Sequence, residues 1–321
     1  MLDPGQYLRP LAVVVGSYNT DLVIWCDATP VRGQSIVGGE FEMFSGGRGA
    51  NCAVAAARSG CRVKFVGAHG PDAFGKNALE RLGREGIDIE DFVELPGSKT
   101  GVAMVFQERK TGVHTALIST SANNHFSPDL VRKVESSIRE SDLVFTQFEI
   151  STSVLLEVYR LCRLHHKRLV VHAAPVQPPT NFLKGRYYLV VADDFEARLL
   201  TGCHHLDAAI YELHVRGVQN VIINQQNHSL LFSDGTRPSI QPLPTGPFVQ
   251  DAGAVECLTA WAGVTLAESG DLAYATYVGA QAMAFSISRH GAEDSMPYRS
   301  ELSIGSLPDF ARYTEHGPTI V

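Results

Sequence analysis

Three glycines in four residues, Gly46-Gly47-Arg48-Gly49, run into Ala50-Asn51 and an alanine-rich stretch, so a pliant loop opens onto a helix start. Glycine lets the backbone approach a ligand and adopt positive φ, and the first N–H groups of a helix have no partner within it. Together they form a docking surface for hydroxyls or anions. A tight turn packed against a helix is the competing reading of the same residues. A second segment, Asp251-Ala252-Gly253-Ala254-Val255-Glu256, places a carboxylate at the start of another long apolar run. Asn19 and Asp21 lie in the polar loop after one short apolar run, and Glu149 lies just after another. Taken singly, Asp21 also suits a turn cap, Asn51 a helix start and Glu149 a surface ion pair.

Open α/β sheets gather such residues at the carboxyl ends of parallel strands. Leu11 to Gly16 reads as a buried first strand delivering the loop Gly16-Ser17-Tyr18-Asn19-Thr20-Asp21. Residues 22–45 mix β-branched and aromatic residues with Pro30, Gly33 and Gly38-Gly39, and residues 100–119 look like a second such set. They predict hairpin strands outside the main sheet, forming a small β lid. From Gly49 the predicted order is helix 50–59, strand 62–67, helices 74–86 and 127–139, strand 142–146, helix 151–165, and strands 168–172 and 187–191. Helices 194–201 and 205–216, strand 219–223, a β pair near 228–241, and helices 254–268 and 271–289 complete it. Alternation of this kind predicts a mainly parallel sheet covered on both faces.

At 321 residues and 45% hydrophobic content the chain can bury one large core or two. A net charge of −7 offers no footprint for nucleic acid, which leaves small molecules as the expected partners. Cys26, Cys52, Cys61, Cys162, Cys203 and Cys257 lie far apart without a Cys-x-x-Cys pair and read as reduced, mostly buried side chains. The N-terminus lacks a basic segment followed by an apolar core, and no window approaches about 18 uninterrupted apolar residues. A soluble, cytoplasmic protein without a membrane partner is expected.

In their order these segments resemble the ribokinase family of sugar and nucleoside kinases, which includes bacterial phosphofructokinase-B, from about Val13 to about Tyr298. Gly16 to Asp21 is similar to the first-strand motif whose Asn and Asp, here Asn19 and Asp21, bind sugar hydroxyls. Gly46 to Asn51 resembles Gly-Gly-Lys-Gly-Ala-Asn, with Arg48 in place of Lys. Ala122-Asn123 matches a lid-adjacent Ala-Asn, and Thr146-Gln147-Phe148-Glu149 the Gln-Leu-Glu whose carboxylate holds the sugar. The resemblance thus implies a substrate site of Asn19, Asp21, Gly46, Gly47, Asn51, Asn123 and Glu149. Gly70 to Gly75 and Lys99 to Ala103 fit the fold as well.

The nucleotide side departs further from the family. Ala192-Asp193-Asp194-Phe195-Glu196 resembles Pro-Asn-x-x-Glu, whose Glu orders Mg²⁺ through water; Glu196 is kept and Asp193 replaces the Asn. Asp193 suits a helix N-cap equally well. Asn224 to Ser229 stands where the family has a turn beside ATP, with Gln226 and Ser229 in the places of its two glycines. Ala280 falls where ribokinases often carry His or Asn at the base. Arg289-His290-Gly291-Ala292 matches the closing segment, and Ser286, Arg289, Gly291 and Ser295 with Gln250 or Asp251 take the positions implied for a monovalent cation.

Gln250 to Glu256 aligns with Asp-Thr-Thr-Gly-Ala-Gly-Asp, which implies Glu256 as the base for the sugar's primary hydroxyl. The amides of Gly253, Ala254 and Val255 are then expected to stabilise the transferring phosphoryl group, since such transfer is catalysed mostly by positioning and electrostatics. A carboxylate displaced by ~1 Å costs on the order of 100-fold, and lost anion-hole donors cost a further ~100–1000-fold. Val255, β-branched where glycine is expected, is therefore the heavier substitution. The segment also reads as the capped start of a buried helix.

The expected fold is α/β: a ribokinase-like three-layer sandwich with a mostly parallel, doubly wound sheet. It forms one domain over residues 1–321, with a β lid at about 17–45 and 98–121 through which the resemblance implies a homodimer. The expected function is ATP-dependent phosphorylation of a pentose, D-ribose to ribose 5-phosphate, at a reduced rate, with Mg²⁺ and K⁺ as implied cofactors. The alternative is a catalytically inactive sugar-binding or dimerisation paralogue, and a third reading is a kinase with another donor or substrate.

Overall fold

The short apolar run at the start becomes β1 (Leu11–Val15) at the heart of a large sheet, where Ala12 and Val14 face one core and Val13 and Val15 the other. In the computed structural model residues 9–109, 114–175, 185–226, 228–302, 311–314 and 317–319 are described. After β1 come β2 (Asn19–Cys26), β3 (Glu40–Gly46), α1 (Arg48–Arg58), β4 (Arg62–His69), α2 (Ala73–Arg84), β5 (Phe92–Glu94), β6 (Gly101–Glu108) and β7 (His114–Ser119). Then follow α3 (Ala122–His125), α4 (Pro128–Lys133), α5 (Glu135–Glu140), β8 (Leu143–Gln147), α6 (Thr152–Leu164), β9 (Arg168–His172), β10 (Tyr187–Asp193), α7 (Asp194–Thr201) and α8 (Leu206–Val215). The chain closes with β11 (Val218–Gln225), β12 (Ser229–Ser233), β13 (Ser239–Pro242), α9 (Ala254–Ser269), α10 (Leu272–Ile287), β14 (Ala311–Thr314) and β15 (Gly317–Thr319).

The main sheet runs in the order β15-β14-β13-β12-β11-β10-β9-β8-β1-β4-β5, parallel from β11 to β5 and antiparallel beyond β11. The same alternation along β10 sends Leu189 and Val191 to the core beneath α1, α9 and α10, and Val190 and Ala192 to the core beneath α6 and α8. This is the expected three-layer α/β architecture. Helix α9 is buried nearly all round, as a largely apolar sequence without a polar face requires. The predicted helix 127–139 is two helices, because Val134, at φ −95° and ψ 15°, leaves helical geometry between α4 and α5.

Strands β3-β2-β6-β7 form a separate four-stranded lid. Its two faces differ. Register places Asn19, Asp21, Val23 and Trp25 on one face with Phe44, Ala103 and Val105, while Leu22 and Ile24 share the other with Met43, Phe41, Met104 and Phe106. On that second face Phe41, Met43, Met104 and Leu117 are exposed. All six cysteines are free thiols, five of them buried. No helix among the described residues is long and apolar enough to cross a membrane.

Candidate functional site

Five parallel strands end at one cavity of about 460 Å³, roofed by the lid. Asn19 follows β1, Glu149 follows β8, and His172, Asp193 and Asn224 stand at the ends of β9, β10 and β11; all line this space. Opposite them lie the starts of α1 and α9, whose helices pack on each other and bring Asn51 and Glu256 to the same place.

The sugar-side loop depends on missing Cβ atoms. Gly47 holds φ 92°, and a Cβ on it would lie 2.5 Å from the amide nitrogen of Asn19. One on Gly46 would fall 2.2 Å from Asp21 Oδ2. Only glycine lets β3 turn into α1 while touching β2. Gly46 is therefore a backing residue for Asp21, outside the cavity lining itself. Glu149 accepts from the Ser17 hydroxyl at 2.5 Å and from the Arg48 amide at 3.3 Å, and Ser17 Oγ in turn accepts from the Gly49 amide at 3.3 Å. Ser17 is thus a positioning group for which no role was expected.

Asn123, expected on the sugar, lies buried behind the site. Its amide donates to Tyr18 O at 2.9 Å and Asn19 Oδ1 at 2.8 Å, and its carbonyl accepts from Tyr18 N at 3.0 Å, so it fixes Asn19 instead of meeting a ligand. Asn51 is different: its buried Oδ1 has no partner within the protein, and the residue lines the cavity. An orphaned buried acceptor is costly and calls for a donor from a ligand or water. Burial, reinforced by Glu149 and Glu256 and opposed by Arg48, raises Asp21 to about 7.

Glu256 sits in the first turn of α9, where Gly253, at φ 76°, caps the helix. Burial alone would raise its pKa, but His172 and Arg48 outweigh burial and bring it down to about 2. Arg48 Nη1 donates to Glu256 Oε1 at 2.9 Å. His172 Nδ1 lies 3.1 Å from the same oxygen, close but without the alignment of a hydrogen bond. His172 escaped the sequence reading because a lone histidine ending an apolar strand has no spacing partner to betray it.

The expected anion hole is partly occupied by the protein itself. The Ala254 amide donates to Asp251 O at 3.1 Å, and Ala254 is fully buried, which corrects its expected role as a phosphate donor. Gly253 and Val255 remain at the cavity, with the half-buried Val255 side chain on its wall.

On the nucleotide side, Asp193 and Glu196 form a capping box at the start of α7: Asp193 N donates to Glu196 Oε2 at 2.8 Å and Glu196 N to Asp193 Oδ1 at 2.6 Å. The N-cap reading of Asp193 is realised, while both residues also line the cavity. Burial raises the Glu196 pKa, with the nearby His172 opposing it. Gln226 adopts the left-handed conformation that favours glycine, at φ 50°, and lines the cavity beside Asn224. Ser229 does not reach that space; it lies in β12 and donates to Gln225 Oε1 at 2.9 Å. Ala280 is buried in α10 and is not among the residues that line this cavity.

Among the described residues no three His, Cys, Asp or Glu side chains converge to cage a metal. The cavity nevertheless carries Asp193, Asp194, Glu196, Asp251 and Glu256 near one guanidinium. Such a set fits Mg²⁺ held through water and phosphate oxygens, and a polyphosphate needs that charge to enter. The proposed monovalent-cation residues are less available. The Ser286 and Ser295 hydroxyls bond each other at 2.7 Å, the Arg289 side chain pairs with Glu301 at 3.0 Å, and Gly291 lies against Phe44. Gln250 and Asp251 line the cavity mouth.

A family model described as pfkB family carbohydrate kinase matches residues 9–299. The ribokinase of Haemophilus influenzae is 27% identical over 299 residues, covering 92% of this chain and 97% of its own. That of Bacillus subtilis is 28% identical over 290 residues, covering 90% and 97%. Among solved structures, Arabidopsis thaliana ribokinase complexed with ribose and ATP has a TM-score of 0.83 at 25% identity, covering 91% of this chain and 97% of that one. Ribokinase from Giardia lamblia has a TM-score of 0.82 at 23% identity, covering 91% and 98%. With the family model spanning the sheet from β5 to β13, the lid and both helix starts at the cavity, the chain belongs to the pfkB family of carbohydrate kinases.

Proposed function

We propose that this protein is a ribokinase-type pentose kinase whose transfer step is slowed by its own residues. The observation that carries the reading is convergence: Asn19, Asp21, the orphaned Asn51 carbonyl and Glu149 share one cavity with Glu256. These are the acceptors a polyol requires, next to a carboxylate able to take a proton. In the reaction the sugar's primary hydroxyl oxygen bonds the γ-phosphorus of ATP, the bond from that phosphorus to the β,γ-bridging oxygen breaks, ADP leaves, and the hydroxyl proton passes to Glu256. Mg²⁺, when bound, offsets charge on the triphosphate, and Glu196 with Asp193 would hold it through water.

Glu256 is a weak base while Arg48 and His172 hold it at a pKa of about 2. Arg48 must turn toward the incoming phosphate before Glu256 can act, and Val255 and Gln226 narrow the space that phosphate would occupy. A second reading, sugar binding without transfer, is favoured by that same crowding. The exposed apolar face of the lid, with Phe41, Met43, Met104 and Leu117, supports a homodimer formed lid to lid.

Calorimetric titration with D-ribose, followed by a non-hydrolysable ATP analogue with Mg²⁺, tests the proposal. Heat from both ligands is the expected result, together with ribose-dependent ADP release once ATP replaces the analogue. Ribose heat without nucleotide heat would leave the binding-only reading, and no ribose heat would end both.

A further inference from the structure

A second hollow opens where β9, β10 and β11 begin, at the opposite edge of the sheet from the strand ends that carry the sugar-side cavity. From Tyr188 to Asp193 along β10 is roughly 17 Å of extended chain, and the two spaces share no lining residue. This hollow measures about 1010 Å³, enough to take a whole small molecule.

Its charge is one-sided. Arg163 comes from the last turn of α6, Lys167 and Arg168 from the start of β9, Arg186 from the residue before β10, and Arg216 from the end of α8. Against these five permanent cations the hollow sets one carboxylate among the described residues, Glu212, although the chain as a whole has 34 acidic and 27 basic residues. The hollow around Arg9 and Lys64, by contrast, balances its cations with Glu85, Asp88 and Glu140. Glu212 is already engaged, since Arg216 Nε donates to it at 2.7 Å. Among the described residues Arg163, Lys167, Arg168 and Arg186 form no ion pair. The negative carboxyl ends of α6 and α8 account for Arg163 and Arg216, but Lys167, Arg168 and Arg186 belong to strands and their approaches.

Part of the set is held in place by neutral partners. Lys167 Nζ donates to Ser141 O at 2.9 Å, Arg216 Nη1 donates to Leu200 O at 2.8 Å, and the Arg168 guanidinium lies over the Tyr188 ring, 5.4 Å from its centroid. Arg163 and Arg186 are exposed. Carbonyls and a ring fix these cations without cancelling their charge, and like charges around a concave wall focus a positive potential within it.

We propose that this hollow is a second binding site, for a small molecule that carries two or more phosphate groups. The inference goes beyond the sugar-kinase reading and uses none of the residues on which that reading rests. Guanidinium forks match phosphate oxygens two at a time, and four of the five cations are arginines. A single phosphate would leave several of them unanswered, and the space beside Tyr159 and Tyr188 accommodates an organic part.

The test is calorimetric titration of the full chain with pyrophosphate, inorganic phosphate and citrate, without Mg²⁺, on wild type, on Arg163→Ser with Arg186→Ser, and on Arg48→Ala. Pyrophosphate is expected to bind at least about tenfold more tightly than phosphate or citrate, and to raise the thermal midpoint. The double variant should lose about tenfold or more of that affinity while keeping its anion-free thermal transition, because both arginines are exposed and unpaired by carboxylates; Arg48→Ala should leave the affinity unchanged. A loss confined to Arg48→Ala would put the anion in the sugar-side cavity and overturn the inference. Citrate binding as tightly as pyrophosphate, or no heat from pyrophosphate, would overturn it equally. Ribose affinity is independent of each of these outcomes, so failure here leaves the sugar-kinase reading to its own titration.

Discussion

A carboxylate is useful as a base only if its environment leaves it willing to take a proton, and at Glu256 two neighbours act against that. His172 and Arg48 together overcome the upward push of burial and leave it at about 2. Removing one neighbour should restore some basicity: His172→Asn is expected to move the acid limb of the kcat/KM profile for ribose to higher pH. An unmoved limb would mean that His172 does not act on Glu256. Crowding is a separate matter. Val255→Gly with Glu256→Asp clears the wall and shortens the carboxylate out of the Arg48 bridge, and it should raise ribose-dependent ADP release by roughly 10–100-fold. No gain would shift the defect to Gln226 and the turn around it. Arg48, Val255 and Glu256 are legible in sequence because each sits within a glycine-bearing motif that opens a helix. His172 and Ser17 are not, since what gives them roles is proximity across strands that are distant along the chain.

At the scale of elements, the junction of β3 with α1 controls how the lid meets the body. A methyl at position 46 or 47 would enter the space of Asp21 or of the Asn19 amide, so the strand pair must part to admit it. Gly46→Ala and Gly47→Ala are each expected to weaken ribose binding by about 100-fold, a loss of roughly 3 kcal/mol, while the cooperative thermal transition survives. Ribose affinity within twofold of wild type in both variants would show that this close approach does not shape the site. Period-two and period-3.6 patterns were enough to place the parallel strands, the lid and most helices within a few residues, because each has one apolar face or two. They could not show the break at Val134, whose apolar spacing continues across it, nor β5, too short to carry a period. Asn123 and Ala280 lie off the cavity wall for a related reason: a motif gives a residue's position in sequence, whereas burial behind Tyr18 or inside α10 is decided by packing.

Across the whole molecule, buried carboxylates decide how stability responds to pH. Asp21 is raised to about 7, chiefly by burial and then by Glu149 and Glu256. Glu293, also chiefly through burial, is raised to about 8 despite Arg81 nearby. An acid whose pKa is higher folded than unfolded keeps its proton in the folded state where the unfolded chain has released it. Stability therefore declines as pH climbs from the unfolded value near 4 through about 8, and then levels off. Glu256 has the opposite sign: its depressed pKa contributes stability above about 4.5 that is lost as pH falls toward 2. The two trends cross in mild acid, so the thermal midpoint should be highest near pH 5 and fall by roughly 5 °C or more by pH 8. Each raised carboxyl contributes up to about 4 kcal/mol before the surroundings relax. Asp21→Asn and Glu293→Gln, which cannot ionise, should each flatten the decline between pH 6 and 8, and the double variant should nearly abolish it. Differential scanning calorimetry across that range is decisive: a midpoint that holds steady or rises from pH 5 to 8 in the wild type would mean that both side chains are already ionised in the folded protein. Asp21 would then add a negative charge to a cavity that already holds Glu149, Glu196 and Glu256.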